Sequence, residues 1–514
     1  MRPRIRPHPV LLWFVLLWPT CVAWAAPPAP PLTRDSRLAG PALLADIDVL
    51  QQAYEGLHPG LYRYASERQV AQRFAALRAE LAHGATLGQA YLAISRLTAS
   101  VRCGHSFPNF VNQPEPVRHA LFDDDLSLPF RFRWLQGRMI ISQNDSDQPA
   151  LLPGTEVLTI DGIAASQILA ALMTVARADG SNDGKRIAQM EVQGFAPVEA
   201  FDVYLPLLFP QLSASPLLRV RGPGATPEQE LRVHRIGAAQ RSALASSRGA
   251  DSASPAWHLD LSDPDLGVLR MPTWAVYRSN WDWQAFLARS FATLSEREIP
   301  ALVIDLRGNE GGLDVGSVLL GYLPASENAL PPMRALVRYR RLPDALAPYV
   351  TTWDTSFRDW GTRAVAYDAR FYSLTPTPDA DVPASVPTRT PRYTGKVFVL
   401  IGPENSSATF AFAQQVQYAG LATLVGRPTG GNLRGTNGSA FFFLHLPHSQ
   451  IEVDVPLVGQ FPTSPQPDRG VLPDVSVQLT AQDLQHGRDA DIEAVRALQR
   501  GDAIQPQPHP DPPA

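Results

Sequence analysis

The stretch "LIGPENSSATFAFAQQVQYAGLATLVG", residues 400–426, reads as strand, turn, helix and second strand. An apolar run stops at Gly402-Pro403, two serines follow, and a helical segment leads to Gly420 and a second apolar run at 422–426. Short, nearly continuous apolar runs mark strands buried on both faces. "ALVIDL" (301–306) and "KVFVLIG" (396–402) share that texture, and helical segments at 280–296 and 407–419 separate or follow them. Such alternation predicts an α/β fold. Ser406 is a natural helix N-cap, and Ser407 falls in or near the first turn. A hydroxyl there feels the positive end of the helix dipole, and the free amide of Ala408 can face a developing oxyanion. The plain alternative is that both serines only cap the helix.

Three further pieces bear on the serines. "DLRGNEGG" (305–312) directly follows the buried strand, and Gly308, Gly311 and Gly312 let bare amides approach a ligand. It lacks the Gly-Lys-Ser/Thr of a phosphate loop. "CGHSF" (103–107) holds His105 at an element boundary. Cys103 lies too close in sequence for the usual cysteine–histidine arrangement, and the histidines show no metal-ligand spacing. "PDRGVLPDV" (467–475) offers Asp468 and Asp474, either able to orient an imidazole.

Working outward, Arg2, Arg4 and Arg6, the apolar 10–18 and Ala23-Trp24-Ala25 read as a secretory signal over 1–25. After cleavage only Cys103 remains, so no internal disulfide forms, which points to a bacterial periplasm or exterior. A linker covers 26–40, and a helical domain 41–118, where "LLADIDVLQQAYEGL" and "RQVAQRFAALRAEL" space apolar residues by three and four. From 119 to 240 the pattern is strand-rich, with "PGTEVLTIDGIAASQILAAL" (153–172) reading as turn, strand, Asp-Gly turn and helix. Residues 239–255 read as a second linker, 250–499 as the largest domain, and 500–514 as a disordered tail. An aromatic, proline-rich insertion at 322–392 reads as a substrate wall, with Trp353, Phe357 and Trp360 as contacts. The 514 residues carry 18% charged residues and a net charge of −4, which leaves no basic footprint for nucleic acid.

In this order the pieces resemble the tail-specific protease family, also called C-terminal processing peptidases, on its branch with the tricorn core and the interphotoreceptor retinoid-binding protein. The resemblance spans about 41–499 and implies an α/β multidomain protein. Its parts are a crotonase-like catalytic domain of strand-strand-helix units, a PDZ-like domain and the N-terminal helical domain. The family's Ser-Ala-x-x-x-Phe-Ala fits Ser407-Ala408 and Phe412-Ala413. It implies Ser407 as nucleophile, with an oxyanion hole from Ala408 and Gly311 or Gly312. The lysine base of the processing branch would stand at Asn432, and the two lysines of the chain, Lys185 and Lys396, lie elsewhere. The tricorn branch implies a histidine base, His105, and an acid nearest Asp468, one position from the usual glutamate. Its accessory serine would stand at Gly104, and Ser106 is the nearby hydroxyl. The expected protein is a secreted or periplasmic serine peptidase acting on peptide or protein substrates, with no cofactor, no metal and no membrane span after signal cleavage. A non-catalytic binding protein and an esterase are the alternatives.

Overall fold

The computed structural model describes residues 31–122, 127–195, 198–224, 226–246, 257–277, 279–324, 331–375 and 388–502. The expected signal peptide, the first part of the linker after it and nearly all of the tail lie outside them. Helix Gly40–Leu57 buries Leu43, Ile47, Leu50, Tyr54 and Leu57, the three- and four-residue spacing of its sequence. Helices Glu67–Leu81 and Leu87–Ser100 each begin with a capping box, Ser66 with Gln69 and Thr86 with Gln89. Helix Glu115–Phe122 ends the helical part.

The next part is an antiparallel sheet in the spatial order Phe130–Leu135, Arg138–Asn144, Glu156–Ile160, Leu217–Arg221, Glu228–Arg232. Asp161 and Gly162 both take positive φ, 48° and 78°, as a two-residue hairpin requires. Helices Ala165–Met173, Asp183–Gln189 and Ala200–Leu208 accompany it. The Ser/Ala-rich stretch read as a linker from 239 is in its first part a helix, Ala238–Ser246, anchored where Arg241 pairs with Asp202 at 2.6 Å.

The α/β sheet runs in the order Val475–Ser476, Thr423–Gly426, Lys396–Ile401, Ala301–Asp305, Leu266–Arg270, His258–Asp263. All neighbours are parallel except the last pair. All five residues of Ala301–Asp305 are buried at its centre.

The insertion departs from expectation. Its short strands Met333–Val337, Val350–Thr351, Ala364–Ala366 and Tyr372–Leu374 join a long hairpin, Asn437–His445 with Glu452–Pro462, in a third, antiparallel sheet. Its core is continuous with the helical part: Leu50 and Tyr54 belong to the same buried cluster as Phe442, Val453 and Leu457. Asp46 on the first helix accepts the amides of His448 and Ser449 at 2.8 Å each. Trp360, expected at the substrate wall, is only 4% exposed and packs on Tyr339 and Phe357 in this core. Among the described residues no helix is long and apolar enough to cross a membrane.

Candidate active site

Strands Ala301–Asp305 and Lys396–Ile401 are parallel with Asp305 opposite Leu400, so the loops leaving their C-terminal ends emerge side by side. That is where open parallel sheets place ligands. The loops are sewn together by Asn405, whose Nδ2 donates to Leu306 O (2.5 Å) and Asn309 O (3.0 Å). Ser406 sits at the N-cap position with φ −134°, but its hydroxyl does not cap the helix. It donates to Glu310 O at 3.2 Å, which corrects the capping role expected for it.

Ser407 opens helix Ser407–Ala419 with φ 51°, a conformation that costs a non-glycine residue roughly 1–3 kcal/mol. A strained strand-to-helix turn is how α/β hydrolases push a nucleophilic hydroxyl outward. Ser407 is half-buried, whereas Ser406 is buried. The opposing surface is Gly311: a Cβ there would lie 2.9 Å from Ser407 Cβ, Ala408 N and Ser406 O. Its φ of +104° also favours glycine.

The structure separates the two glycine amides that the sequence left as alternatives. Gly311 N–H is held by Asn309 Oδ1 at 2.9 Å and is therefore engaged. The amides of Ala408 and Gly312 have no acceptor among the described residues. Gly312 has φ +140°, and a Cβ on it would meet the Trp274 backbone at 2.2 Å.

His105 lies in a turn after the third helix, half-buried, its ring 5.7 Å from that of Phe441. Arg177 ties the segments together: it donates to Gly104 O at 2.6 Å and approaches Glu310, the neighbour of Gly311, at 3.9 Å. Burial lowers the His105 pKa below its ordinary value; Asp179 pulls it back up, while Arg177 and Lys185 push it down. The ring thus stays neutral at a pH where an ordinary imidazole begins to charge. Its Nδ1 is buried with no hydrogen-bond partner among the described residues.

Ser106, beside it, is bonded to a different ring, His58 Nε2, at 2.7 Å. His58 Nδ1 accepts the Gly60 amide, so Nε2 carries the proton given to Ser106. Burial takes His58 down to about 3 and Cys103 up to about 11, which leaves the one neutral and the other a thiol. Cys103 also receives Asn437 Nδ2 at 3.2 Å.

The acid read from the sequence is engaged elsewhere. Asp468 Oδ1 accepts Ser181 N–H (2.9 Å) and Asn432 Nδ2 (2.7 Å), and Oδ2 accepts the Ser181 hydroxyl (3.0 Å). Asn432, at the place of the absent lysine, thus holds this carboxylate. No hydrogen bond joins Asp468 to His105. Asp474 accepts the Leu424 amide at the sheet edge.

Lys185 is the residue sequence reasoning set aside. Only 1% exposed, its Nζ donates to Glu310 Oε1 at 2.6 Å and Glu404 O at 2.9 Å, bridging the two loops that flank Ser407. Burial raises the Glu310 pKa, but Lys185 and Arg177 outweigh it and hold the carboxylate ionised. These two bonds tie the loops together through the Lys185 side chain. Below it, burial works to raise Glu404, and Arg427 and Arg133 overcome that, taking it down to about 2.

The open face of strand Asn437–His445 carries Phe441 and Phe443, both against Trp353 (5.7 and 5.8 Å between ring centres). Phe357 meets the same indole edge-on at 5.6 Å, and Trp353 is 60% exposed. An aromatic strip therefore extends from the His105 ring. Its two strand phenylalanines escaped the sequence reading, because the continuous apolar run "AFFFL" does not tell which of its side chains face outward. Among the described residues no cluster of three or more histidine, cysteine or carboxylate groups is placed to hold a metal.

Residues 265–476 match the model of peptidase family S41. No curated protein matches the chain. Among solved structures, mature CPAF complexed with lactacystin is similar over 90% of this chain and 98% of its own, with 16% identity and a TM-score of 0.61. Mature CPAF alone gives 15% identity and a TM-score of 0.58 over 90% and 99% of the two chains. The photosystem II D1 C-terminal processing protease gives 16% identity, a TM-score of 0.38 and coverage of 85% and 92%. The family match falls on the α/β sheet and its serine turn, so residues 265–476 carry a domain similar to the serine-type peptidases of family S41, the tail-specific or C-terminal processing peptidases.

Proposed function

We propose that the chain cleaves peptide bonds through an acyl-enzyme, with Ser407 as nucleophile and His105 as base. The observation that carries this is the Ser407 turn itself: φ 51° at a helix N-terminus, glycine opposite, and free amides on Ala408 and Gly312. Ser407 Oγ adds to the scissile carbonyl carbon as its proton passes to His105 Nε2. The oxyanion takes the two amides, the C–N bond breaks, and the amine leaves with the proton from His105. Water then repeats the sequence on the ester. The catalytic part is crotonase-like and the 119–240 part PDZ-like in this reading. The strip of Trp353, Phe441 and Phe443 suits a substrate with an apolar or aromatic side chain beside the scissile bond. The signal read over 1–25 supports action in a periplasm or outside the cell.

A fluorophosphonate tests the reading. It adds one adduct to wild type and none to Ser407→Ala, and peptide turnover disappears with it. An unlabelled folded wild type would favour the binding-protein alternative. Labelling with ester but no peptide turnover would favour an esterase.

A further inference from the structure

If Ser407 and His105 react as proposed, the imidazole needs a partner that keeps the proton on Nδ1 and leaves the Nε2 lone pair for Ser407. Asp468 makes no hydrogen bond to the ring. We infer that Asp179 is the positioning residue: its Oδ2 takes the Nδ1–H of His105.

Two orphans carry this. Asp179 is 1% exposed; its Oδ1 accepts Gly104 N–H at 3.0 Å, while Oδ2 is buried with no hydrogen-bond partner among the described residues. His105 Nδ1 is in the same condition, one residue from Gly104. A buried carboxylate oxygen and a buried ring nitrogen, each left unpaired, are costly singly and complementary together. Oδ2 lies against the residue next to His105: a Cβ built on Gly104 would be 3.0 Å from it. Gly104 is also gripped from both sides by one segment, its N–H by Asp179 and its C=O by Arg177 at 2.6 Å. That grip fixes the backbone beside His105, so the proposed bond requires only a rotation of the ring.

Other charged groups around the ring do not serve this role. Arg177 and Lys185 are donors, and Glu310 is occupied by Lys185 at 2.6 Å. On the hairpin side, Asp454 is held by Asn109 at 2.7 Å. Cys103 is a thiol bonded by Asn437. Among the described residues, Tyr64 Oη is a third buried orphan near Gly180, yet a phenol only donates to Asp179 and gives His105 no anion.

The test is Asp179→Asn, which keeps an oxygen for Gly104 N–H but removes the charge. Its kcat falls on the order of 10²–10⁴-fold with KM little changed. The acid limb of kcat/KM moves to lower pH, because the carboxylate that raised the His105 pKa is gone. Asp179→Glu recovers part of the rate, and Asp468→Asn leaves the limb in place. Independently of turnover, ring ¹⁵N shifts of His105 in Ser407→Ala show the Nδ1–H tautomer, and adding Asp179→Asn abolishes it. A rate loss with an unmoved limb, or an Nε2–H tautomer while Asp179 is intact, would overturn the assignment. Failure of wild type to react with the fluorophosphonate would instead strike the Ser407 reading, and the tautomer measurement would still judge Asp179.

Discussion

Gly311→Ala probes the serine turn with one methyl group. The added Cβ would lie 2.9 Å from Ser407 Cβ, Ala408 N and Ser406 O together. Ordinary carbon contacts begin near 3.5 Å, so the two loops must part by roughly half an ångström. Neither loop yields freely, because Asn405 binds them at 2.5 and 3.0 Å and Ser406 at 3.2 Å. The φ of +104° adds a backbone cost of about 1–3 kcal/mol for a residue with a side chain. A displacement of about 1 Å at a reacting group costs on the order of a hundredfold. The displaced atoms here are Cβ of the proposed nucleophile and the amide nitrogen of Ala408, a proposed oxyanion donor. We therefore expect kcat/KM to fall on the order of a hundredfold, mostly in kcat, with fluorophosphonate labelling slowed in parallel. Gly137→Ala is the control for strain alone: φ is +76° and nothing lies within 4 Å of the added Cβ. It should lower the denaturation midpoint and leave turnover intact. Unchanged labelling in Gly311→Ala would refute the packing of Gly311 on the nucleophile.

Further outcomes follow from the same contacts. With His105 held below its ordinary value of 6.5, the ring stays neutral as pH falls, so wild-type kcat/KM persists below that pH before it declines; a rise confined to alkaline pH would point to a lysine instead. Lys185→Met removes a charge that lowers the His105 pKa, so the acid limb moves up. Stability falls by less than the ~3–5 kcal/mol of a fully buried pair, since Glu310 keeps 49% of its side chain exposed. Complete loss of labelling in the folded variant would make Lys185 the base. Ser406→Ala loses one hydrogen bond to Glu310 O, about 1 kcal/mol, and keeps its label on Ser407 in intact-protein mass spectra. Trp353→Ala and Phe441→Ala raise KM for apolar peptides. Trp360→Ala lowers stability by about 3–5 kcal/mol in urea titration without selective loss of those substrates.

Local pattern carried much of this architecture. The apolar runs at 301–306 and 396–402, the turn residues after them and the three- and four-residue spacing of the first helices are short-range features, and each appears where the sequence places it. The Ser407 turn was legible for the same reason, since strand, Gly-Pro, serine pair and helix are contiguous. The third sheet was not legible. Its insertion strands are two to five residues long and acquire their partners from the hairpin 437–462, far along the chain. Trp360 reads like Trp353 in sequence, yet one closes that sheet's core and the other stands open beside Phe441. Charge partners are likewise tertiary. Asp468, close to a family motif, is bound by Ser181 and Asn432, while Asp179 and Lys185 reach the site from the second part of the chain. Periodicity reports which face of a segment is buried. Only the packing of segments hundreds of residues apart decides which carboxylate meets which imidazole, because burial and pairing act through space rather than along the sequence.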